Sequence, residues 1–355
     1  MSPGETGDWP EVTVAIPAYN LQSYLPDTIR SVQSQDYPGL VRILVLDDGS
    51  TDQTLQIAQE LAKSDPAITV TTQANQGRAV TRQRLLEACE TEFLAWIDAD
   101  DLATPSWLKD QVAKWSDDSR LAAVGGQGYA MLPNGLPLGP IEHPLQSEAI
   151  EQRHIEGHAN AFFQSCVTTK RFKLLEAGGY REKYHAAEDY DLWLRLTEIA
   201  PIVNVDRLHL LYRVHAASAN WTLTHVQKEQ GHQILNEARQ RRGLEPRDAL
   251  VHPINDSKID DRNRRLYWIN IALKHGNAYS ALRMSWTALR RHPTQILIWG
   301  AMLLCLLDTV TCLGNRTRRF VPGQQPRLGT LPRFSAYRLA RWAVHWRRRW
   351  KKAAA

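Results

Sequence analysis

Residues Phe93–Asp101 read FLAWIDADD. The first half is a continuous apolar run with the character of a buried strand. The second half sets three carboxylates, Asp98, Asp100 and Asp101, within four positions. Like charges that close repel, and burying one unpaired carboxylate is costly. Such an ending reads either as a cation site at a sheet edge or as a solvated acidic turn, with Asp101 or Thr104 capping the next helix.

The same pattern recurs upstream. VTVAIPAYN (Val12–Asn20) is a β-branched apolar run expected to stop at Pro17. VRILVLDDGSTDQT (Val41–Thr54) is a second buried strand running into a polar turn, where Thr51 or Asp52 caps the helix TLQIAQELAKS. AITVTTQ (Ala67–Gln73) is a third strand. Between them, Leu25, Ile29 and Val32 recur at helical spacing, and NQGRAVTRQRLLEACE opens as a turn and continues as a helix. Alternating strands and helices with continuous apolar strands predict an α/β fold whose sheet is mostly parallel and covered on both faces. Right-handed crossovers then bring PAYN, DDGS and DADD to one edge, where open α/β sheets bind ligands.

Downstream the pattern is mixed. TPSWLKDQVAKW predicts a helix capped by Thr104 with Pro105 at its first position. LAAVGGQGYAML reads as a strand, PNGLPLGP as a loop, and AFFQSCVTTKRFKLLEAGGY as strand then helix with a glycine stop. AEDYDLWLRLTEIA is a helix, and Trp221–Pro293 reads as helical, with Asn277–Pro293 at the spacing of a helical hairpin.

These motifs resemble the family 2 glycosyltransferases, an inverting group with the nucleotide-diphosphosugar-binding fold called GT-A. The matching pieces are VAIPAYN, LVLDDGSTD, NQGRAVTRQ, WIDADD and AEDYDLWLRL, in that order, over roughly residues 11–217, about 60% of the chain. The resemblance implies a nucleotide-diphosphosugar donor, bound by Pro17, with Tyr19 against the base, Asp48 at the base edge and Asp98 at the ribose. Asp47 would hold its loop. Arg82 or Arg78 would reach the base or diphosphate, since a guanidinium fork pairs bidentately with phosphate. Gln83 departs from the family's asparagine. Asp100 would bind Mg²⁺ or Mn²⁺, cations that hard oxygen ligands suit, and Asp101 would support the site or act through water. Asp189 would be the catalytic base, with Glu188 and Asp191 as competitors. His215, or Arg213, would meet the diphosphate or metal. A single displacement needs one base and no nucleophile pair.

The implied function is inverting transfer of a sugar, by prevalence UDP-linked, to a hydroxyl on a sugar, polysaccharide or lipid-linked acceptor. A non-catalytic sugar-nucleotide or membrane-binding module would lack the metal or base carboxylates. A sugar-nucleotide pyrophosphorylase would carry a basic glycine-rich loop after the first strand, which PAYNLQSYLP lacks.

Bulk composition adds little to the site and much to the tail. Cys89, Cys166, Cys305 and Cys312 show no paired short spacing, which argues against a disulfide framework or zinc site. The N-terminus shows no basic-then-apolar signal pattern. The formal net charge is +5, yet Thr311–Ala355 carries 12 Lys+Arg and no acid, leaving the rest at a formal −7. In FSAYRLARWAVHWRRRWKK, Leu339, Trp342, Ala343, Trp346 and Trp350 share one helical face and the arginines take the others. That pattern reads as a membrane-interfacial helix, with a flexible basic tail or a protein-docking helix as the alternative. No nucleic-acid-binding fold is recognised. The run Ile296–Leu307 is too short to span a bilayer. The expected organisation is a catalytic domain over 9–220, a helical appendage over 221–313 and a basic tail over 314–355. The expected location is cytoplasmic, peripheral at the inner face of the cell membrane.

Overall fold

The computed structural model describes residues 9–157, 161–215, 224–247, 261–291, 293–294, 298–300 and 302–303. The Trp-rich tail, most of Ile296–Leu307, His158, Cys305 and Cys312 lie outside the described residues. Cys89 and Cys166 are buried and free. Among the described residues no helix is long and apolar enough to cross a membrane. The chain divides into two compact units, one drawn mainly from Met1–Gly128 and Glu142–Asn255, the other mainly from Tyr129–Ile141 and Asp256–Val321.

In the first unit, β1 (Val12–Ala18), β2 (Val41–Asp47), β3 (Ile68–Thr72) and β4 (Phe93–Trp96) are the four anticipated strands. They pair in parallel in the order β3-β2-β1-β4. Helices α1 (Leu25–Gln33), α2 (Thr54–Ser64) and α3 (Arg78–Ala88) connect them. Val12, Val14 and Ile16 bury into one core cluster, and Ala15, Leu94 and Trp96 into another. The sheet is therefore apolar on both faces, as the unbroken apolar runs require.

Pro17 does not stop β1; the strand continues through Pro17, which stands opposite Leu46. The ladder explains why. Ala15 faces β4, accepting the Ile97 N–H at 3.2 Å, and Ala18 faces β2, accepting the Asp48 N–H at 2.8 Å. Alternation turns Pro17 toward the β4 side, beyond that pairing's last partner, Trp96. Its missing N–H costs no bond there. It also ends the β1–β4 ladder where the chain must leave the sheet to form the IDADD turn.

The sheet continues with β5 (Leu102–Ala103), β6 (Ala123–Met131), β8 (Val167–Lys170) and β9 (Ile202–Arg213) in the order β4-β8-β6-β9-β5. Here β8 runs antiparallel to β4 and β6, and β5 antiparallel to β9. The architecture is thus a mixed α/β sheet with its parallel half at the N-terminus. Around it lie α4 (Trp107–Asp117), α5 (Ser147–Ile155), α6 (Arg171–Glu176), α7 (Glu188–Leu196) and α8 (Thr224–Arg241). Thr104 does not cap α4. Its hydroxyl donates to the Leu208 carbonyl at 2.7 Å, and the helix starts after Ser106. Gln53, not Thr51 or Asp52, is the N-cap of α2; Asp52, just before it, accepts the Thr54 N–H at 2.9 Å.

In the second unit, part of the expected PNGLPLGP loop is the strand β7 (Pro137–Ile141), which pairs with β6. As an edge strand it tolerates its two prolines. It packs against α9 (Asp261–Lys274): a Cβ on Gly139 would lie 2.6 Å from Ile271. The turn at Gly276 (φ 73°) leads to α10 (Ala278–Arg291). Asn277 ties that turn to the hairpin, donating to the Leu138 carbonyl at 2.9 Å and the Tyr129 hydroxyl at 3.0 Å.

His154, for which no role was anticipated, is fully buried on α5. Its Nε2 accepts the Ala161 N–H at 2.9 Å. Burial lowers its pKa from 6.5 to about 3. A lowered folded-state pKa means that the unfolded chain takes up the proton first. Stability is therefore unaffected above pH 6.5 and falls as pH drops from there toward 3, at about 1.4 kcal/mol per pH unit from this group. Denaturant titrations at pH 7.5 and 5.0 should show this loss, and His154→Gln, which keeps an acceptor, should narrow the gap. An unchanged gap would reassign the acid sensitivity.

Candidate active site

The site starts from β2. Asp47 and Asp48 are both buried at its end. Asp47 Oδ2 accepts the Ser50 N–H and the Thr72 hydroxyl, each at 3.1 Å, and so holds its own turn. Asp48 reaches the NQG loop: Oδ1 accepts the Gln76 N–H at 2.9 Å and the Gln73 amide at 2.7 Å, and Oδ2 accepts the Gly77 N–H at 2.9 Å. Asn20 (φ 54°) laces PAYN to DDGSTD through the Thr51 N–H, at 2.8 Å from its Oδ1. Tyr19 is 46% exposed beside it.

The NQG loop delivers α3, which begins with Arg78. One turn on, Arg82 is buried. Its Nη2 donates to Asp98 Oδ1 at 2.6 Å and its Nε to Glu188 Oε1 at 3.3 Å. Arg78 Nη2 lies 3.4 Å from Glu188 Oε2 and donates to the Ala186 carbonyl at 3.3 Å. Arg82 therefore bridges the β4 turn to the first residue of α7, and Arg78 joins it at Glu188. Burial opposes the charge on Arg82, but Asp98 and Glu188 outweigh it, and its pKa is raised. Burial pushes the Glu188 carboxyl up, although Arg78 and Arg82 pull it back.

The three carboxylates of IDADD meet three different fates. Asp98 is paired with Arg82. Asp100 Oδ2 lies 2.7 Å from His215 Nε2, just past the end of β9. Asp101 is buried, accepts the Arg213 N–H at 2.9 Å, and leaves Oδ2 without a hydrogen bond. Burial, and then the charges of Asp100 and Asp98, push its carboxyl well above the usual range. The mutual repulsion is thus eased by one ion pair, one imidazole and one backbone N–H. Arg213 Nε donates to the Asp100 carbonyl at 2.7 Å, and its guanidinium sits 4.8 Å from the Tyr24 ring, which also packs 5.0 Å from His215.

At the start of α7 three acids diverge. Asp191 is fully buried and clamped by Arg181 Nε at 2.8 Å and Arg195 Nη2 at 2.7 Å. Glu188 faces the two α3 arginines. Asp189, partly exposed, accepts the Tyr190 N–H on Oδ1 at 2.8 Å.

A family model described as glycosyl transferase family 2 matches residues 13–176, and a second, glycosyltransferase like family 2, matches residues 155–228. The chain belongs to the family 2 glycosyltransferases. The Escherichia coli chondroitin synthase is 27% identical over 237 residues, which is 66% of this chain and 33% of that protein. The Pasteurella multocida hyaluronan synthase is 24% identical over 66% of this chain and 24% of its own length. The chain thus spans about a third of the first of these relatives and about a quarter of the second. Among solved structures, S. aureus TarS 1-349 in complex with UDP-GlcNAc shares the fold, with a TM-score of 0.51 at 18% identity over 92% of this chain and 99% of that one.

In this glycosyltransferase the structure brings Arg78, Arg82 and Asp98 together around Glu188, the neighbour of Asp189, while Asp48 bonds to the loop that leads into α3. Asp100 and His215 form a separate pair reached through the same turn. Pro17 sits at the ladder's end, and no bond links Tyr19 to either group among the described residues. Gln83 turns elsewhere: its Oε1 accepts the Tyr180 N–H at 2.8 Å. Sequence reasoning named Glu188 only as a rival base and did not name Tyr24. Glu188 had a visible signal, an acid beside Asp189. Tyr24 had none, because its partners come from β9. Among the described residues no cluster of three or more His, Cys, Asp or Glu side chains converges as a metal cage.

Proposed function

We propose that this glycosyltransferase transfers a sugar, with inversion, from a UDP-linked diphosphosugar to a hydroxyl on a sugar, polysaccharide or lipid-linked acceptor. The reading rests above all on Arg82, which pairs at once with Asp98 and Glu188 and so ties the proposed donor residues to the start of α7. Relatives named for chondroitin and hyaluronan synthesis favour a polysaccharide acceptor.

In this scheme Tyr19 and Pro17 border the base, Asp48 holds the loop that meets its edge, and Asp98 faces the ribose. Arg78 and Arg82 lie toward the diphosphate. Asp189 accepts the acceptor proton as its oxygen bonds to the anomeric carbon and the bond to the diphosphate breaks. Asp100 and His215, side by side at 2.7 Å, would offer one Mg²⁺ or Mn²⁺ an oxygen and an imidazole nitrogen. With only two protein ligands, the remaining positions fall to phosphate oxygens and water. A bound cation would neutralise charge on the departing diphosphate. The proposed catalytic domain covers 9–220, with a helical appendage over 221–313. The basic tail, 314–355, would rest on an anionic membrane at the cytoplasmic face, with no nucleic-acid partner.

The test is slow donor hydrolysis without acceptor, screened over common nucleotide sugars with Mn²⁺ or with EDTA. Hydrolysis of one UDP-sugar, lost in EDTA, is the expected result. Activity that persists in EDTA would remove the metal, and silence with every donor would favour a non-catalytic binding module.

A further inference from the structure

We propose that the outward face of α10 is a docking surface for an anionic lipid bilayer. The inward side of this helix is settled: Ala278, Ala281, Met284, Ser285, Ala288 and Leu289 are buried. The outward side carries Tyr279 and Trp286, each 52% exposed, with Arg283 and Arg290 exposed between and beyond them. At about 100° and 1.5 Å per residue, these four side chains fall within roughly 60° of the circumference and extend about 16 Å along the axis. No Asp or Glu occurs anywhere in α10. The Arg290 guanidinium lies 5.4 Å from the centre of the Trp286 ring.

Large rings left half in water on an otherwise well-packed helix form an apolar strip. The flanking arginines choose what covers it. A headgroup layer offers phosphates to the guanidiniums and, just beneath, an apolar boundary for rings with one polar edge. An uncharged sugar polymer would match the rings and leave the arginines without a counter-charge. In the same unit Trp299 and Leu303 are also exposed, at 50% and 59%. This surface is independent of the basic tail, since every residue in it belongs to the described helices.

The experiment is sedimentation of the full chain with phosphatidylcholine vesicles, with and without phosphatidylglycerol, below lipid saturation. Arg283→Gln with Arg290→Gln should lower partitioning onto the anionic vesicles more than tenfold, at about fivefold per arginine. Arg30→Gln with Arg120→Gln removes the same net charge from exposed positions of the first unit, and should change partitioning less than twofold. Trp286→Ser should weaken binding while leaving its salt dependence unchanged. Equal losses from the two arginine pairs would reduce the effect to net charge and overturn the assignment. Unchanged partitioning in the α10 variants would also overturn it, as would loss of acceptor use or of self-association in place of vesicle binding.

Discussion

Asp189→Asn is expected to stop sugar transfer while leaving donor affinity within a few-fold of the parent. The asparagine keeps an oxygen to accept the Tyr190 N–H, so the first turn of α7 retains its anchor. What it loses is the capacity to take a proton. General-base catalysis is worth about 10²- to 10⁴-fold, and kcat should fall by that amount. Neither Glu188 nor Asp191 is placed to substitute. Glu188 is held by Arg82 and Arg78, and Asp191 by Arg181 and Arg195. Single-turnover rates alongside titration of the donor separate the two quantities. A collapse of donor affinity with little change in the chemical step would make Asp189 a binding residue.

Asp100→Asn should produce the second largest loss, about 10²- to 10³-fold in turnover, the usual cost of removing one charge stabiliser from a leaving group. The amide can still hydrogen-bond to His215, so the turn should keep its shape. Mn²⁺ affinity, followed by titration calorimetry, should weaken in parallel. Because Asp100 and His215 touch, their effects should not add: His215→Ala should cost much less in the Asp100→Asn background than in the parent. Normal turnover and an unchanged response to EDTA in Asp100→Asn would detach the cation from this pair.

Both expectations depend on how the sheet edge manages charge. The apolar half of FLAWIDADD is fully enclosed: Leu94, Ala95, Trp96 and Ile97 have no exposed surface. The turn that follows is therefore rigidly based, and Asp101, rather than being a spare ligand, is buried and bonded to the backbone of β9. Burial and the neighbouring charges of Asp100 and Asp98 push its carboxyl well above the usual range, which favours its neutral form.

Much of this was legible in the chain itself. β1 to β4 form where β-branched, apolar runs make burial on both faces favourable. Their parallel pairing then follows from the intervening helices and the handedness of the crossovers. That logic alone brings PAYN, DDGS and DADD together, and the five motifs pointed to the family. Local punctuation was less legible. Pro17 looked like a stop because its tolerance depends on where β4 ends, and β7 looked like a loop because its prolines are harmless only on an edge.

Tertiary structure alone decided the individual fates of the acids. Asp98, Asp100 and Asp101 are near-identical in sequence, as are Glu188, Asp189 and Asp191. What separates them is a partner far along the chain: Arg82 for Asp98 and Glu188, His215 for Asp100, the Arg213 backbone for Asp101, Arg181 with Arg195 for Asp191. Hydrophobic pattern is a local property and survives in a string of letters. The charge state of a buried carboxylate is set by what lies within a few ångströms of it, and only the folded chain fixes that.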